Sequence, residues 1–217
     1  KTSEDFGIQG EIPEHMALLD WLSAQFMDSG WNLKELLKTI LTSEAYRRSS
    51  DTTPQLQESD PENRFMARGA RYRLPSWMIR DQALSVAGLL DPRKGGPPVN
   101  GYQPEGVWEE ATFGNKKYTM DDPSKRYRRS LYTFWRRIIA PTMFFDAASR
   151  QTCTVSIKRT NSPLHALATL NDVTYIEASR ALATMAMEQA EEAPDQKLKW
   201  IYRRVLGRPP TVNEQAI

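Results

Sequence analysis

The residues best suited to do chemistry in this sequence form a run of arginines and aromatics, RYRRSLYTFWRR, at positions 126 to 137. The run holds five arginines and four aromatic side chains in twelve positions. Arginine binds carboxylates and phosphates through two parallel hydrogen bonds, and it also stacks on aromatic rings. Three interpretations are open: internal pairing within a packed domain, a site for an anion or an acidic sugar, and a surface that binds nucleic acid.

The charge balance of the chain argues against the nucleic-acid interpretation. The 29 basic residues face 27 acidic ones, which leaves a formal net charge of +2, whereas nucleic-acid-binding domains usually carry a strong basic excess. Arginine also dominates lysine from residue 45 to residue 160, which favours geometrically fixed pairs over diffuse attraction to phosphates. Internal pairing therefore ranks first, an anion or acidic-sugar site second, and nucleic acid third.

An anion or sugar site would combine arginines of this region with nearby carboxylates, close to the segment at 95 to 118. The candidate ligand-binding residues are Arg128, Arg129, Arg159, Asp146 and Asp81. No serine stands in the context of a nucleophile elbow, so no catalytic residue is assigned. The sequence therefore favours a non-catalytic segment, with an enzyme acting on an anionic or carbohydrate substrate as the alternative.

The histidines and the cysteine give no metal or haem site. His15 and His165 lie far apart in sequence, each near the start of a predicted helix, and we interpret both as hydrogen-bonded structural side chains. Cys153 is the single cysteine of the chain, so no internal disulfide and no covalent c-type haem can form. We expect its thiol to behave as a small buried hydrophobe. No cofactor is expected in this segment.

The elements that must position these side chains are mainly helical. No stretch reaches the roughly 18 consecutive apolar residues of a membrane-spanning helix. Asn32, with Glu35 three positions later, predicts the cap of the second helix, which should form an antiparallel hairpin with the first. Apolar periodicity and end signals predict helices at 13 to 28, 33 to 45, 60 to 69 and 76 to 90, two consecutive helices from Ser162, and a last helix that ends near Gly207.

Two stretches lack helical periodicity. The polar stretch at 49 to 60 predicts a surface loop. Residues 91 to 125 are rich in Gly and Pro but keep four aromatic residues, which predicts an ordered, packed excursion because loops of this length are usually functional or disordered. Short β segments are candidates near 99 to 108 and 152 to 158. If residues 128 to 138 are helical, Leu131, Phe134 and Trp135 share one face and Arg129 lies at its flank.

The resulting prediction is a mainly α fold, an irregular multi-helix bundle with the ordered excursion at 91 to 125. We expect one helical domain over 1–217, a fragment of a larger protein. Its predicted subregions are the N-terminal helical hairpin at 1–50, helices at 60–90, the excursion at 91–125 and C-terminal helices at 126–206. Thr211 and Glu214 have the spacing of a capping box and predict one more helix start.

A collinear set of motifs resembles one known family. The chain is similar, over its whole length, to the planctomycete-specific C-terminal domain of unknown function (DUF 1553 type) of planctomycete cytochrome-c-domain-associated proteins. His165 departs from the pattern of that family, which more often has Gln there. The motifs that carry the resemblance are DFGIQGEIPEHMALLDWLSAQF, GWNLKELLKTILTSEAYRRSS, DPENRFMAR, RYRLPSWMIRD, GGPPVNGYQP, YRRSLYTFWRR, FFDAASRQTCTV, RTNSPLHALATLND and YRRVLGRPPT.

The resemblance implies an uncharacterised multidomain protein in an extracytoplasmic, periplasmic setting. It also implies a neighbouring domain that carries haem c, which this segment does not bind covalently because it has no CxxCH. The expected partners are neighbouring domains of the same polypeptide and a polysaccharide or other anionic ligand. Because the family has no established activity, the resemblance assigns no reaction.

Overall fold

The structure is a computed structural model of the 217-residue chain. It describes residues 5, 7–136, 139–141, 143–146, 155, 161–188 and 193–215. Arg159, Cys153 and nearly all of the β candidate at 152 to 158 lie outside these residues.

The chain divides into two compact units, Lys1–Arg73 (unit 1) and Leu74–Ile217 (unit 2). The predicted mainly α fold is confirmed. The prediction of one domain over 1–217 stays a prediction. Unit 1 contains α1 (Met16–Asp28), α2 (Leu33–Thr42), α3 (Glu44–Arg47) and α4 (Pro54–Ser59). Unit 2 contains α5 (Ser76–Val86), α6 (Val107–Ala111), α7 (Pro123–Arg126), a 3-10 turn (Ser130–Tyr132), α8 (Pro163–Asn171), α9 (Val173–Glu188), α10 (Pro194–Leu206) and α11 (Val212–Gln215).

Unit 1 begins with the predicted helix pair. α1 ends at Asp28, and the φ of 69° at Gly30 permits the left-handed turn that reverses the chain,. The Asn32 side chain then accepts the Glu35 N–H at 3.3 Å and caps α2, as predicted,. α1 and α2 pack against each other, and Leu22, Phe26 and Leu36 line the groove between them.

The prediction of a helix at 60 to 69 is wrong, and a helix lies just before it. Thr53 caps α4 by accepting the Leu56 N–H, so part of the predicted surface loop is helical. Asp60 is 5% exposed, and its carboxylate accepts the N–H groups of Arg64 at 2.8 Å and Phe65 at 3.1 Å. Burial raises the pKa of Asp60, but these N–H groups and Arg68 outweigh it and leave the pKa below its ordinary value. Asp60 therefore holds a closed turn instead of starting a helix.

The core of unit 2 lies where α5 and α9 pack against each other. Leu84 on α5 and Met143 are fully buried, and Phe144 and Tyr175 are nearly so. α9 also packs against α8 and α10. α8, α9 and α10 lie where the sequence predicts the three C-terminal helices, and α10 ends at Leu206 with Gly207 as its C-cap. The capping box of Thr211 and Glu214 forms at the start of α11.

Two other predicted helices differ from the structure. α5 ends at Val86 instead of Leu90, because Gly88 turns left-handed and the Leu89 N–H returns to the Leu84 carbonyl,. The described residues of 128 to 138 contain a single 3-10 turn rather than a helix. Their backbone pairs with the excursion instead: Arg128 bridges Asp91 and Thr133 bridges Val99, both in parallel.

The excursion at 91 to 125 is packed through its aromatic residues. Trp108 on α6 is 3% exposed and lies between Tyr118 and Phe134, with ring centroids 5.1 and 5.9 Å away. The Tyr118 hydroxyl donates to the Gly101 carbonyl at 2.7 Å. Asn100 and Asp121 join the two ends of the loop, because the Asn100 N–H donates to the Asp121 carboxylate at 2.7 Å.

Candidate functional site

Arg80, on the second turn of α5, lies at the centre of the arginine-rich region and is 1% exposed. One terminal nitrogen donates to the Arg128 carbonyl at 2.9 Å and to Ser130 Oγ at 3.2 Å. The other donates to the Arg126 carbonyl at 3.0 Å. The Arg80 side chain thus binds the backbone of the first residues of the arginine run.

Burial lowers the pKa of the Arg80 guanidinium below its ordinary value, and the Asp81 carboxylate opposes that shift. An arginine stays charged in proteins even after such a shift. The charge is compensated by Asp81, 3.4 Å from the guanidinium, and by the carbonyl dipoles. This buried cation is therefore bound by its own chain, as a stable buried charge requires.

Asp81, the next residue on α5, also binds Ser130. Its Oδ1 accepts the Ser130 N–H at 2.8 Å and the Ser130 hydroxyl at 2.7 Å. The Trp77 carbonyl lies 3.2 Å from the same hydroxyl as a second acceptor. Asp81 and Ser130 therefore hold the 3-10 turn against α5.

Arg128 binds the Gly/Pro-rich loop that begins the excursion. Its guanidinium donates to the Pro97 carbonyl at 2.9 Å, to the Arg93 carbonyl at 3.1 Å, and to the Gly95 carbonyl. The guanidinium carbon lies 3.8 Å from the centroid of the Tyr132 ring. The Tyr132 hydroxyl in turn accepts the Gly95 N–H at 2.7 Å. Arg128 and Tyr132 together clamp this loop, and we call this group the Arg128 clamp.

Asp146 caps α5 from a position 70 residues later in the chain. Its carboxylate accepts the Ser76 N–H at 2.9 Å from Oδ1 and 3.2 Å from Oδ2, and also accepts the Ser76 hydroxyl. The residue before α5 is Pro75, which offers no side-chain cap. A carboxylate at a helix N-terminus satisfies free N–H groups and complements the helix dipole.

The structure brings three of the five candidate residues to α5. Arg128 and Asp81 meet through Arg80 and Ser130, and Asp146 lies one turn away at the start of the helix. Arg129 is exposed, and its side chain makes no hydrogen bond or ion pair with another described residue. Arg159 lies outside the described residues. The ligand-binding role of the five residues stays a prediction.

A second cluster joins the arginine run to α9, and sequence analysis did not predict it. The Tyr127 hydroxyl donates to one Glu177 oxygen at 2.6 Å, and Arg126 binds the other. Burial, and then the Glu177 carboxylate, raise the pKa of Tyr127. Arg126 and Glu177 are 51 positions apart. The one sequence signal is a partly exposed Glu on α9, which does not identify its partner.

The two histidines have protein partners. His15 Nε2 lies 2.8 Å from the Arg64 carbonyl. His165 stacks on Phe145 at 4.3 Å between ring centroids, and its Nδ1 accepts the Ser162 N–H at 3.3 Å. In the part of the chain that the structure describes, no three His, Cys, Asp or Glu side chains are grouped to hold a metal ion. Within the same residues, no helix has both the length and the apolarity to cross a membrane.

The chemistry of this arrangement is that of an internal support. The terminal guanidinium nitrogens of Arg80 and Arg128 donate to carbonyls and to the Ser130 hydroxyl, and Asp81 accepts from the Ser130 N–H and hydroxyl. The Ser130 hydroxyl donates to the Asp81 carboxylate or the Trp77 carbonyl while it accepts from Arg80, and Ser130 is only 7% exposed. Arg129 and Arg136 are exposed to solvent.

A comparison with models of protein families gives a match over the whole chain. The family model of PSD1, described as a protein of unknown function (DUF1553), matches residues 1–217. A search of curated proteins finds no match. A search of solved structures also finds none.

Proposed function

The chain belongs to the PSD1 family of proteins of unknown function (DUF1553), and we propose that it acts as a non-catalytic helical module of a larger protein. In this role it binds neighbouring domains of the same polypeptide or a polymeric ligand. The observation that carries the proposal is the internal use of the arginine cluster. Arg80 and Arg128 are 1% and 5% exposed and donate to backbone carbonyls, so they support the fold instead of binding a substrate.

A surface for a neighbouring domain lies on α8. Leu164, Leu167 and Leu170 recur every three residues and are 57 to 74% exposed. Exposed apolar side chains that follow one helix face are typical of surfaces that become covered in a larger assembly. We assign this leucine row to contact with a neighbouring domain.

Hydrogen exchange tests this assignment in the full-length protein that contains the module. We expect Leu164→Ser/Leu167→Ser to speed amide exchange in a segment outside residues 1–217, because the covering domain is released. Leu206→Ser, at another half-exposed leucine, is the matched control and should leave exchange there unchanged. Unchanged exchange outside the module in the double variant would refute a role for α8 in domain contact.

The cellular location of the protein and a neighbouring haem domain are part of the same proposal. The resemblance to planctomycete proteins associated with cytochrome c domains supports an extracytoplasmic, periplasmic location. A haem c would then be carried by a neighbouring domain, since this segment has no CxxCH. Fractionation of cells that express the full-length protein, with haem staining of the periplasmic fraction, tests both points.

Arg129 favours the second candidate function, binding of an anionic or carbohydrate ligand as part of an enzyme. Its exposed guanidinium makes no hydrogen bond or ion pair with another described residue, so its donors are available to a ligand. Sulfated and uronic-acid oligosaccharides can be titrated by calorimetry against wild type, Arg129→Ala and the matched control Arg93→Ala. The non-catalytic proposal expects no binding or equal binding for all three. A tenfold loss for Arg129→Ala alone would favour the anion site.

A further inference from the structure

The four longest helices of unit 2 differ in how deeply they are buried. α5, α8 and α9 each contain at least one buried residue, such as Leu84, His165 and Ala178. α10, which is 13 residues long, contains none. Segments with few buried contacts open at a lower free energy than the rest of a fold. Of these four helices, α10 is therefore the one that the core of unit 2 holds least.

α10 packs through one apolar stripe. Leu198, Ile201, Tyr202 and Val205 recur at intervals of three, four and seven residues, which places them on one side of the helix. All four are half-buried, and α10 packs against α5 and α9. Arg203 lies on the opposite side and is exposed. We call the four apolar residues the α10 stripe. Because they are only partly removed from water, they contribute less hydrophobic stabilisation than fully buried side chains.

Two reciprocal hydrogen bonds join the C-terminal ends of α5 and α10. Arg204 Nε donates to the carbonyl of Val86, the last residue of α5. Gln82 Nε2, on α5, donates at 3.1 Å to the carbonyl of Val205, the last residue but one of α10. The last carbonyls of a helix have no partner within that helix. Each helix thus supplies a donor for a free carbonyl of the other, which fixes the end of α10 against the end of α5.

Both of these bonds lie at the protein surface. The Gln82 and Arg204 side chains that donate them are exposed. The Arg204 guanidinium carbon lies 5.1 Å from the centroid of the Trp200 ring, which orients the side chain along α10. Water replaces an exposed donor or acceptor at little cost, whereas a buried group that loses its partner stays unsatisfied. The bonds between α5 and α10 therefore break more easily than the buried bonds of Arg80.

Residues that interrupt a helix lie at both ends of α10. Pro194 is its first residue, and Gly207, directly after it, has a left-handed φ of 69°. Proline lacks the N–H that would continue a helix toward its N-terminus, and a left-handed glycine ends a helix. α10 is therefore not continuous with α9 or α11, and it can move without unwinding either of them.

We propose that α10 is a detachable arm of unit 2, which opens from α5 and α9 as one element while these two helices stay folded. Opening separates the α10 stripe from α5 and α9 and breaks the two reciprocal bonds. It uncovers the stripe and the sides of α5 and α9 that face it, so the apolar surface of unit 2 depends on the position of α10. This inference goes beyond the proposed function, because it describes a conformational change within the chain rather than contact with another domain.

Native-state hydrogen exchange of the purified chain in low urea tests the proposal. A released helix of 13 residues is too short to stay helical alone in water,, so the amides of α10 exchange when it opens. We expect them to exchange on the order of tenfold faster, or more, than the core amides of α5 and α9. Their exchange should also depend less on urea, because a local opening exposes less surface than global unfolding. Equal rates with equal urea dependence in all three helices would overturn the proposal.

Variants at the two reciprocal bonds sharpen the test. Gln82→Ala/Arg204→Ala should speed exchange in α10 about tenfold and leave the core amides of α5 and α9 unchanged. The matched control Ser85→Ala/Arg203→Ala removes one exposed side chain from each of the same helices, and neither makes a hydrogen bond or ion pair with another described residue. The control should keep the wild-type rates. An unchanged rate in α10 of the first variant, or an equal rise in α5, α9 and α10, would contradict a separately opening arm.

Discussion

Units 1 and 2 reach order by different means. In the described residues of unit 1 no apolar side chain is buried, and Asp60 is the one residue of any type that is. The hydrogen bonds of unit 1 are mostly local, such as the helix caps from Asn32 and Thr53. Unit 2 instead buries Leu84 and Met143 completely and links positions 46 to 70 residues apart through Arg80 and Asp146. Local caps are enough to define helices, but burial and long-range hydrogen bonds give a unit stability of its own.

The comparison is tested most strongly at Arg80. Arg80→Leu should lower the free energy of unfolding of unit 2 by about 3–5 kcal/mol, because Asp81 and two carbonyls lose their buried donor. Urea unfolding followed by near-ultraviolet circular dichroism measures the loss. The matched control Arg93→Ala removes an ion pair whose arginine is 67% exposed, and it should cost at most about 1 kcal/mol. An Arg80→Leu variant with an unchanged free energy of unfolding would show that the polar network does not stabilise unit 2.

Two leucines compare the units directly. Leu84→Ala should destabilise unit 2 by about 3 kcal/mol, since it removes a fully buried side chain and leaves a cavity,. Leu18→Ala in α1 removes a side chain that is 41% exposed and should cost about 1 kcal/mol or less. Denaturant midpoints of the two variants measure both effects. Equal losses would contradict the contrast between the two units.

The caps of unit 1 should show a smaller and strictly local effect. Asn32→Ala should destabilise α2 by about 1 kcal/mol, because the Glu35 N–H loses its acceptor,. Faster amide exchange at the start of α2, with unchanged exchange in α5, is the expected result. Asn32→Asp keeps an acceptor at this position and should keep the wild-type exchange rates. Faster exchange across unit 2 would show that the cap acts beyond its own helix.

The excursion of unit 2 should respond weakly to alkaline pH. Burial, and then Asp121, raise the pKa of Tyr118 to about 12 from its ordinary value of 10.0. Since the folded chain holds this proton more tightly, its contribution to stability is complete below pH 10 and is lost as the pH rises toward 12. Thermal unfolding from pH 9 to pH 12 measures how steeply the stability falls with pH, and Tyr118→Phe should make this fall less steep. A variant with the full wild-type slope would exclude Tyr118 as the titrating group.

The fold was predictable from sequence where the signals are local. Asn32 before Glu35 and Thr211 before Glu214 place helix starts correctly, because the donor and acceptor lie within one turn of each other. The prediction fails at Asp60, which has the pattern of a helix start but directs its carboxylate at N–H groups four and five positions later. The same residue type serves either geometry, and the choice depends on the turn that follows.

The candidate site was only partly predictable, because its partners are distant in sequence. The surplus of arginine over lysine corresponds to guanidinium groups bound to backbone carbonyls in fixed positions, at Arg80 and Arg128. The role of Asp146 as a cap for a helix 70 residues earlier leaves no local pattern. The run at 128 to 138 has a helical arrangement of apolar residues, but backbone pairing with Asp91 and Val99 prevents a helix there, and tertiary contacts override such weak propensities.

The Arg128 clamp also bears on the time course of folding. It joins Arg128 to carbonyls 31 to 35 positions earlier, so the intervening chain must close into a loop before any of these bonds can form. We expect these bonds to form after the rate-limiting step of folding, where a lost contact changes the unfolding rate and not the refolding rate. Weakening the clamp with Arg128→Lys should therefore accelerate unfolding while leaving the refolding rate nearly unchanged. The clamp would then determine how long unit 2 stays folded more than how quickly it folds.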